Sequence, residues 1–172
     1  MREFRDNEGR PWQVALTVAS AARVRDLVRV VPPRGEDGAV QPEKPLDLID
    51  AAAVAETFQI LRSNYAAIGE TLYAILLPKI ESKGLTREQF LDALSGESLD
   101  AGVRAIEEEI VDFFPARLRG MVGRLLAKMR ELTEAVMTQV EADVDALSLP
   151  GTSSGSAPAS SEPTPESGPS DN

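Results

Sequence analysis

Between Leu99 and Val136 apolar residues recur at helical spacing with a single interruption, and this pattern constrains the fold more than any other feature of the chain. Leu99, Val103, Ile106, Ile110 and Phe113 step by four, three, four and three residues. After Phe114 and Pro115, the residues Leu118, Val122, Leu125, Met129, Leu132 and Val136 step by four, three, four, three and four. Each set falls on one face of an α-helix, and the second has the repeat of a coiled-coil seam. Proline has no N–H to lose in the first turn of a helix, so Pro115 reads as a restart after a kink at Phe114. The acidic run at Glu107 to Glu109 then lies near the positive end of the new helix dipole.

At about 100° per residue, Arg117, Arg124 and Lys128 edge the second seam on one flank, and Arg119 and Arg130 on the other. A seam edged by cations suits an acidic helical partner. Packing on the chain's own domain is the competing role. A partner is preferred because the helix outruns what a small core can cover. After Val136 the pattern passes to Val140, Val144 and Leu147 while Asp143 intrudes, which argues against a long uniform coiled coil.

Residues 1–18 read as a β-hairpin. Asp6 to Gly9 supplies turn formers, and Trp12, Val14, Leu16 and Val18 alternate with polar or small residues, with Phe4 joining their face across the turn. That face needs a helix or another copy's strand to cover it. Trp12 is assigned to the core in preference to ligand stacking. Residues 19–114 read as a helical core. Ser20 caps a helix to about Val30 that buries Val24, Leu27, Val28 and Val31 and turns Arg23, Arg25 and Arg29 to water. Prolines and glycines make residues 32–45 a polar connector.

A helix from Leu46 to Arg62 presents Ala51, Val54, Ala55, Phe58 and Leu61. Asn64 caps the next helix, whose face is Tyr65, Ile68, Leu72, Ile75 and Leu76 and which Pro78 bends or ends. Gly84 stops a helix, Thr86 with Gln89 forms a capping box, and Phe90, Leu91 and Leu94 are buried by the short helix that follows. Residues 115–147 form the long amphipathic helix. Residues 148–172, rich in Ser, Pro and Gly, form a disordered tail. The fold class is therefore mainly α, with a short N-terminal β-hairpin.

Composition narrows the function. The 172 residues suffice for one domain, and a net charge of -10 repels nucleic acid and anionic membranes. Without Cys there is no disulfide or thiolate chemistry, and a reducing cytosol fits. Without His the usual general base and metal ligand is missing. No phosphate loop or nucleophile elbow is present. Glu107, Glu108 and Glu109, with Asp112 nearby, fan about 100° apart on a helix and cannot converge on one ion, so they read as a solvated face. No apolar run approaches the roughly 20 residues that span a bilayer. These features point to an interaction protein with no cofactor, no metal, no nucleic acid and no membrane, and they are compatible with a homo-oligomer.

Three stretches in order carry a family resemblance: EFRDNEGRPWQVALTV, TLYAILLPKIESKGLTREQFLDALSGESL and EEIVDFFPARLRGMV. The most specific pieces are Asp6, Gly9, Arg10 and Trp12 in the hairpin; Lys83, Gly84, Leu85, Thr86 and Phe90 in the turn and helix; and Phe113, Phe114 and Pro115 at the corner. Over about residues 1–130 the chain resembles the tail assembly chaperones of tailed bacteriophages and prophages. The resemblance implies a non-enzymatic role in the cytoplasm of the bacterial host, coating tape-measure protein helices until tail-tube subunits replace the chaperone. The connector at 32–45 is longer than expected for that group. A structural component of the phage or prophage particle and an unrelated helical adaptor are the alternatives.

Overall fold

The computed structural model describes residues 1–31 and 41–147, with side chains up to residue 144. Most of the connector and all of the tail lie outside the described residues. The chain divides into two units, Met1–Thr133 and Glu134–Asn172. Among the described residues the fold is mainly helical behind an N-terminal antiparallel hairpin, as the sequence indicates.

Strands β1 (Arg2–Arg5) and β2 (Pro11–Val14) pair with Phe4 opposite Trp12. Gly9 closes the turn at a φ of 77°, a conformation that side chains disfavour. Phe4, Trp12 and Val14 are buried in the core. The strand stops at Val14, short of the expected alternation, because Thr17 already caps the first helix, α1 (Val18–Leu27). Leu16 is consequently only part-buried and Val18 is exposed. Ser20, expected as the cap itself, is the third helical residue: the Thr17 hydroxyl accepts its N–H while Ser20 Oγ accepts the Thr17 N–H.

The first helix ends at Leu27, before the expected Val30, since Arg29–Val30 (β3) pairs with Lys44–Pro45 (β4). The last residues of the expected connector are thus a strand. Val24 and Val28 are buried, whereas Leu27 and Val31 are exposed, contrary to the helical reading. Helix α2 (Val54–Ser63) also starts later than expected. The carboxylates of Asp47 and Asp50 accept the N–H groups of Ile49 and Ala52, turn bonds that compete with helix. Val54, Phe58 and Leu61 are buried as expected; Ala55 is exposed and Ile60 takes an inward position.

Helix α3 (Tyr65–Ser82) is central, touching α1, α2, β2, α4 (Arg87–Asp92) and α5 (Glu97–Phe113). Asn64 caps it by accepting the Ala67 N–H. Ile68, Leu72, Ile75 and Leu76 are buried, while Tyr65 in the first turn is exposed. The helix runs through Pro78 to Ser82 and does not end there. Proline offers no N–H to the carbonyl four residues back, which is that of Ala74. Arg23 supplies the substitute: its Nε donates to the Ala74 oxygen at 3.0 Å and its Nη2 to the Ile75 oxygen at 3.1 Å. An arginine expected to face water is therefore what lets the proline sit inside the helix.

Arg23→Ala is expected to lower stability by about 1.5 kcal/mol, because a charge-assisted bond to a carbonyl without a helical donor is lost. In a Pro78→Ala background the loss should shrink, since residue 78 then donates to Ala74. Urea unfolding of the four proteins measures the difference, and equal losses in both backgrounds would show that Arg23 acts elsewhere.

The end of α3 follows the sequence closely. Gly84 has a φ of 67°, with Leu85 N–H donating to the Ile80 oxygen and Gly84 N–H to the Glu81 oxygen. Thr86 and Gln89 form the capping box of α4, and Phe90 is buried while Leu91 and Leu94 are part-buried. In α5, Leu99, Val103, Ile106 and Ile110 face the core. Gly102 lets α3 approach, since a Cβ there would lie 2.6 Å from Leu72 Cδ1. Phe114 leaves the helix extended and its ring, not that of Phe113, becomes fully buried. Pro115 then opens α6 (Ala116–Leu147) by accepting the Leu118 and Arg119 N–H groups.

Candidate functional site

The hairpin motif closes on itself. The Asp6 carboxylate accepts the N–H groups of Glu8 and Arg10 at 3.0 and 2.9 Å, Arg10 Nε at 2.6 Å and Trp12 Nε1 at 2.8 Å. Burial opposes its charge, yet the hydrogen bonds from Trp12 and Arg10 and the positive guanidinium outweigh burial and hold the carboxyl below its usual range. The Trp12 ring meets Phe90 edge-on at 5.1 Å and lies 5.5 Å from the Lys83 ammonium. Asp6, Gly9, Arg10 and Trp12 therefore share one structural task, which is to fold the turn over the core. Asp6 and Gly9 were legible as turn formers; the Asp6 side-chain bonds to Arg10 and Trp12 were not.

The acidic run differs from the solvated face that its spacing suggests. Glu107 is 1 % exposed and Glu109 7 %. Glu107 accepts Arg62 Nε at 2.6 Å, Arg62 Nη2 at 3.2 Å and Arg130 Nη2 at 2.9 Å, and Arg62 also donates to Thr133 Oγ1 at 3.2 Å. One carboxylate thus joins α2, α5 and α6. Glu109 accepts the Leu16 N–H at 3.0 Å and pairs with the Met1 amine at 2.6 Å. Glu108 and Asp112, which are more exposed, share Arg2. Burial is possible because each inward carboxylate meets cations or N–H groups, the condition for an interior charge. The fan around the helix sends the three glutamates to different partners. Among the described residues no three acidic side chains gather as a metal cluster.

The seam on α6 divides. Val122 is fully buried, and Leu118, Leu125 and Met129 are part-buried against the core of the first unit. Leu126, off the expected seam, is buried as well. Leu132 is 55 % exposed and Val136 61 %. Within the second unit Met137 is 56 % exposed and Val140 49 %, and Val144 is exposed too. The cations are mostly engaged. Arg130 holds Glu107, Arg119 donates to the Asp112 oxygen at 3.0 Å, and Lys128 pairs with Glu131 at 3.0 Å. Arg117 and Arg124 are exposed and form no ion pair among the described residues.

Beyond Arg130 the open apolar positions are therefore Leu132 and, within the second unit, Val136, Met137 and Val140, while in the first part of the helix Met121 is exposed at 47 %. Met137 was missed because it lies outside the strict heptad, although it falls on the same side of a helical wheel as Val140 and Val144. Among the described residues no helix is long and apolar enough to cross a membrane. No family model, no curated protein and no solved structure matches this chain.

Proposed function

We propose that this chain is a non-enzymatic interaction protein that serves as a tail assembly chaperone, holding tape-measure helices in the cytoplasm of a bacterial host during phage tail assembly. The observation that carries the interaction role is the exposed row Val136, Met137 and Val140 on the second unit's part of α6. An amphipathic helix with an open apolar stripe gains by laying that stripe against another helix. The motifs that resemble tail assembly chaperones supply the identity of the partner. The net charge of -10 is unfavourable for nucleic acid as partner. The working surface begins after Arg130, because the earlier seam residues Val122 and Leu125 face the first unit's own core.

Co-expression with a tape-measure fragment tests the proposal. Val140→Glu is expected to change stability by no more than about 0.5 kcal/mol, as at other exposed positions, and to leave the fragment insoluble. Leu125→Glu should instead destabilise the protein itself by about 2 kcal/mol, because it charges a part-buried core position. Undiminished rescue of the fragment by Val140→Glu would refute the assignment. Stoichiometric recovery of the chain in finished particles by mass spectrometry would establish a structural component instead.

A further inference from the structure

We infer that the open face of the second unit's helix takes a basic partner: an amphipathic helix whose apolar stripe is edged by lysine or arginine. This inference rests on the interaction reading above for the class of partner and adds its charge. Along α6 the charges are segregated. From Ala116 to Arg130 the ionisable residues are Arg117, Arg119, Arg124, Lys128 and Arg130, with no acid; from Glu131 to Leu147 they are Glu131, Glu134, Glu141, Asp143 and Asp145, with no base. At about 100° per residue, Val136, Val140 and Met137 occupy one arc of about 100°, with Asp143 just beyond one edge and Glu134 and Glu141 beyond the other. Gln139 Nε2 donates to Asp143 Oδ1 at 2.8 Å, which fixes that carboxylate beside the stripe. The open stripe is thus bordered on both sides by anions.

The sign is opposite to the one suggested by the Leu118 to Val136 seam. The cations of α6 belong to its first part, where the seam residues Leu118, Val122, Leu125 and Met129 are committed to the core and Arg130 to Glu107. A second copy of this face would bring carboxylates against carboxylates, so self-pairing is disfavoured. A helix with cations at the edges of its stripe meets the apolar row and both anionic borders together. Complementary edge charges act mainly on partner choice and on the rate of encounter.

The test uses the full chain and two designed helical peptides with the same leucine stripe, one edged by lysine and one by glutamate, followed by fluorescence anisotropy. The lysine-edged peptide is expected to bind about tenfold or more tightly than the glutamate-edged one. The preference should narrow as salt shortens the screening length. The combined variant Glu134→Lys, Glu141→Lys and Asp143→Lys should reverse the preference. Val136→Asn with Val140→Asn, which leaves the charge unchanged, should abolish binding of the lysine-edged peptide. Equal binding, binding of neither peptide, or a preference for the glutamate edge overturns the inference. Lysine-edged binding that survives the double asparagine variant overturns it too, by showing unspecific attraction to an acidic chain. Sedimentation that finds a dimer lost in Val140→Asn assigns the face to a second copy and also overturns it. The tape-measure identity fails separately, through co-expression, without altering the peptide preference.

Discussion

Trp12→Ala is expected to lower the unfolding free energy by about 4 kcal/mol, the range for removing a large buried aromatic. The indole lies opposite Phe4 across the hairpin and edge-on to Phe90, so its loss opens a cavity where β2, α3 and α4 meet. It also removes one of four donors from Asp6, a carboxylate inside the structure. Trp12→Phe keeps one aromatic ring but loses the N–H and the volume of the second ring, so it should cost less than Trp12→Ala, about 2 kcal/mol. The same hub sets an acid limit. The folded-state pKa of Asp6 is depressed, so its contribution is present at neutral pH and disappears as pH falls through and below about 3.9, the unfolded value. Asp6→Asn should therefore be less stable at pH 7 and show a flatter loss of stability in acid. Chemical unfolding as a function of pH checks both statements. A neutral Trp12→Ala would place the indole at the surface.

Where the folding signal is local, the sequence reads well. Gly84 and the Thr86 with Gln89 box mark the junction of α3 and α4 because every bond there spans five residues or fewer. Pro115 likewise marks the start of α6. The misreadings arise where a distant residue decides. Pro78 reads as a bend or an end of its helix, and the end is excluded once Arg23, more than fifty residues earlier, is found on the Ala74 carbonyl. The acidic run reads as solvated because Arg62 and Arg130, the residues that bury Glu107, lie 45 and 23 positions away. The division of the α6 seam left no trace in the width of its apolar stripe: Leu126 next to Leu125 before Arg130 is matched by Met137 next to Val136 after it, yet Leu126 is buried and Met137 is exposed.

Glu107→Ala should cost about 3 kcal/mol, the second large effect. Removing one member of a buried ion pair leaves its partners charged without compensation, which usually costs about 3–5 kcal/mol. The lower end applies because the two arginines differ. The Arg62 side chain is 17 % exposed and would be stranded, whereas Arg130 at 38 % can recover water. The same asymmetry orders the arginine variants. Arg130→Ala leaves Glu107 held by two bonds from Arg62 and should cost about 1 kcal/mol, while Arg62→Ala should cost about 2 kcal/mol or more. The pair is a specifying feature of the fold more than a source of net stability, since well-packed apolar groups of similar volume often do as well as buried ions. Replacing Glu107, Arg62 and Arg130 together by Leu, Leu and Met should then restore most of the stability lost in Glu107→Ala. Thermal and urea unfolding of the single variants and the triple variant decide the matter. If Glu107→Ala is neutral, the carboxylate is hydrated and the acidic run is the solvated face that its spacing suggests.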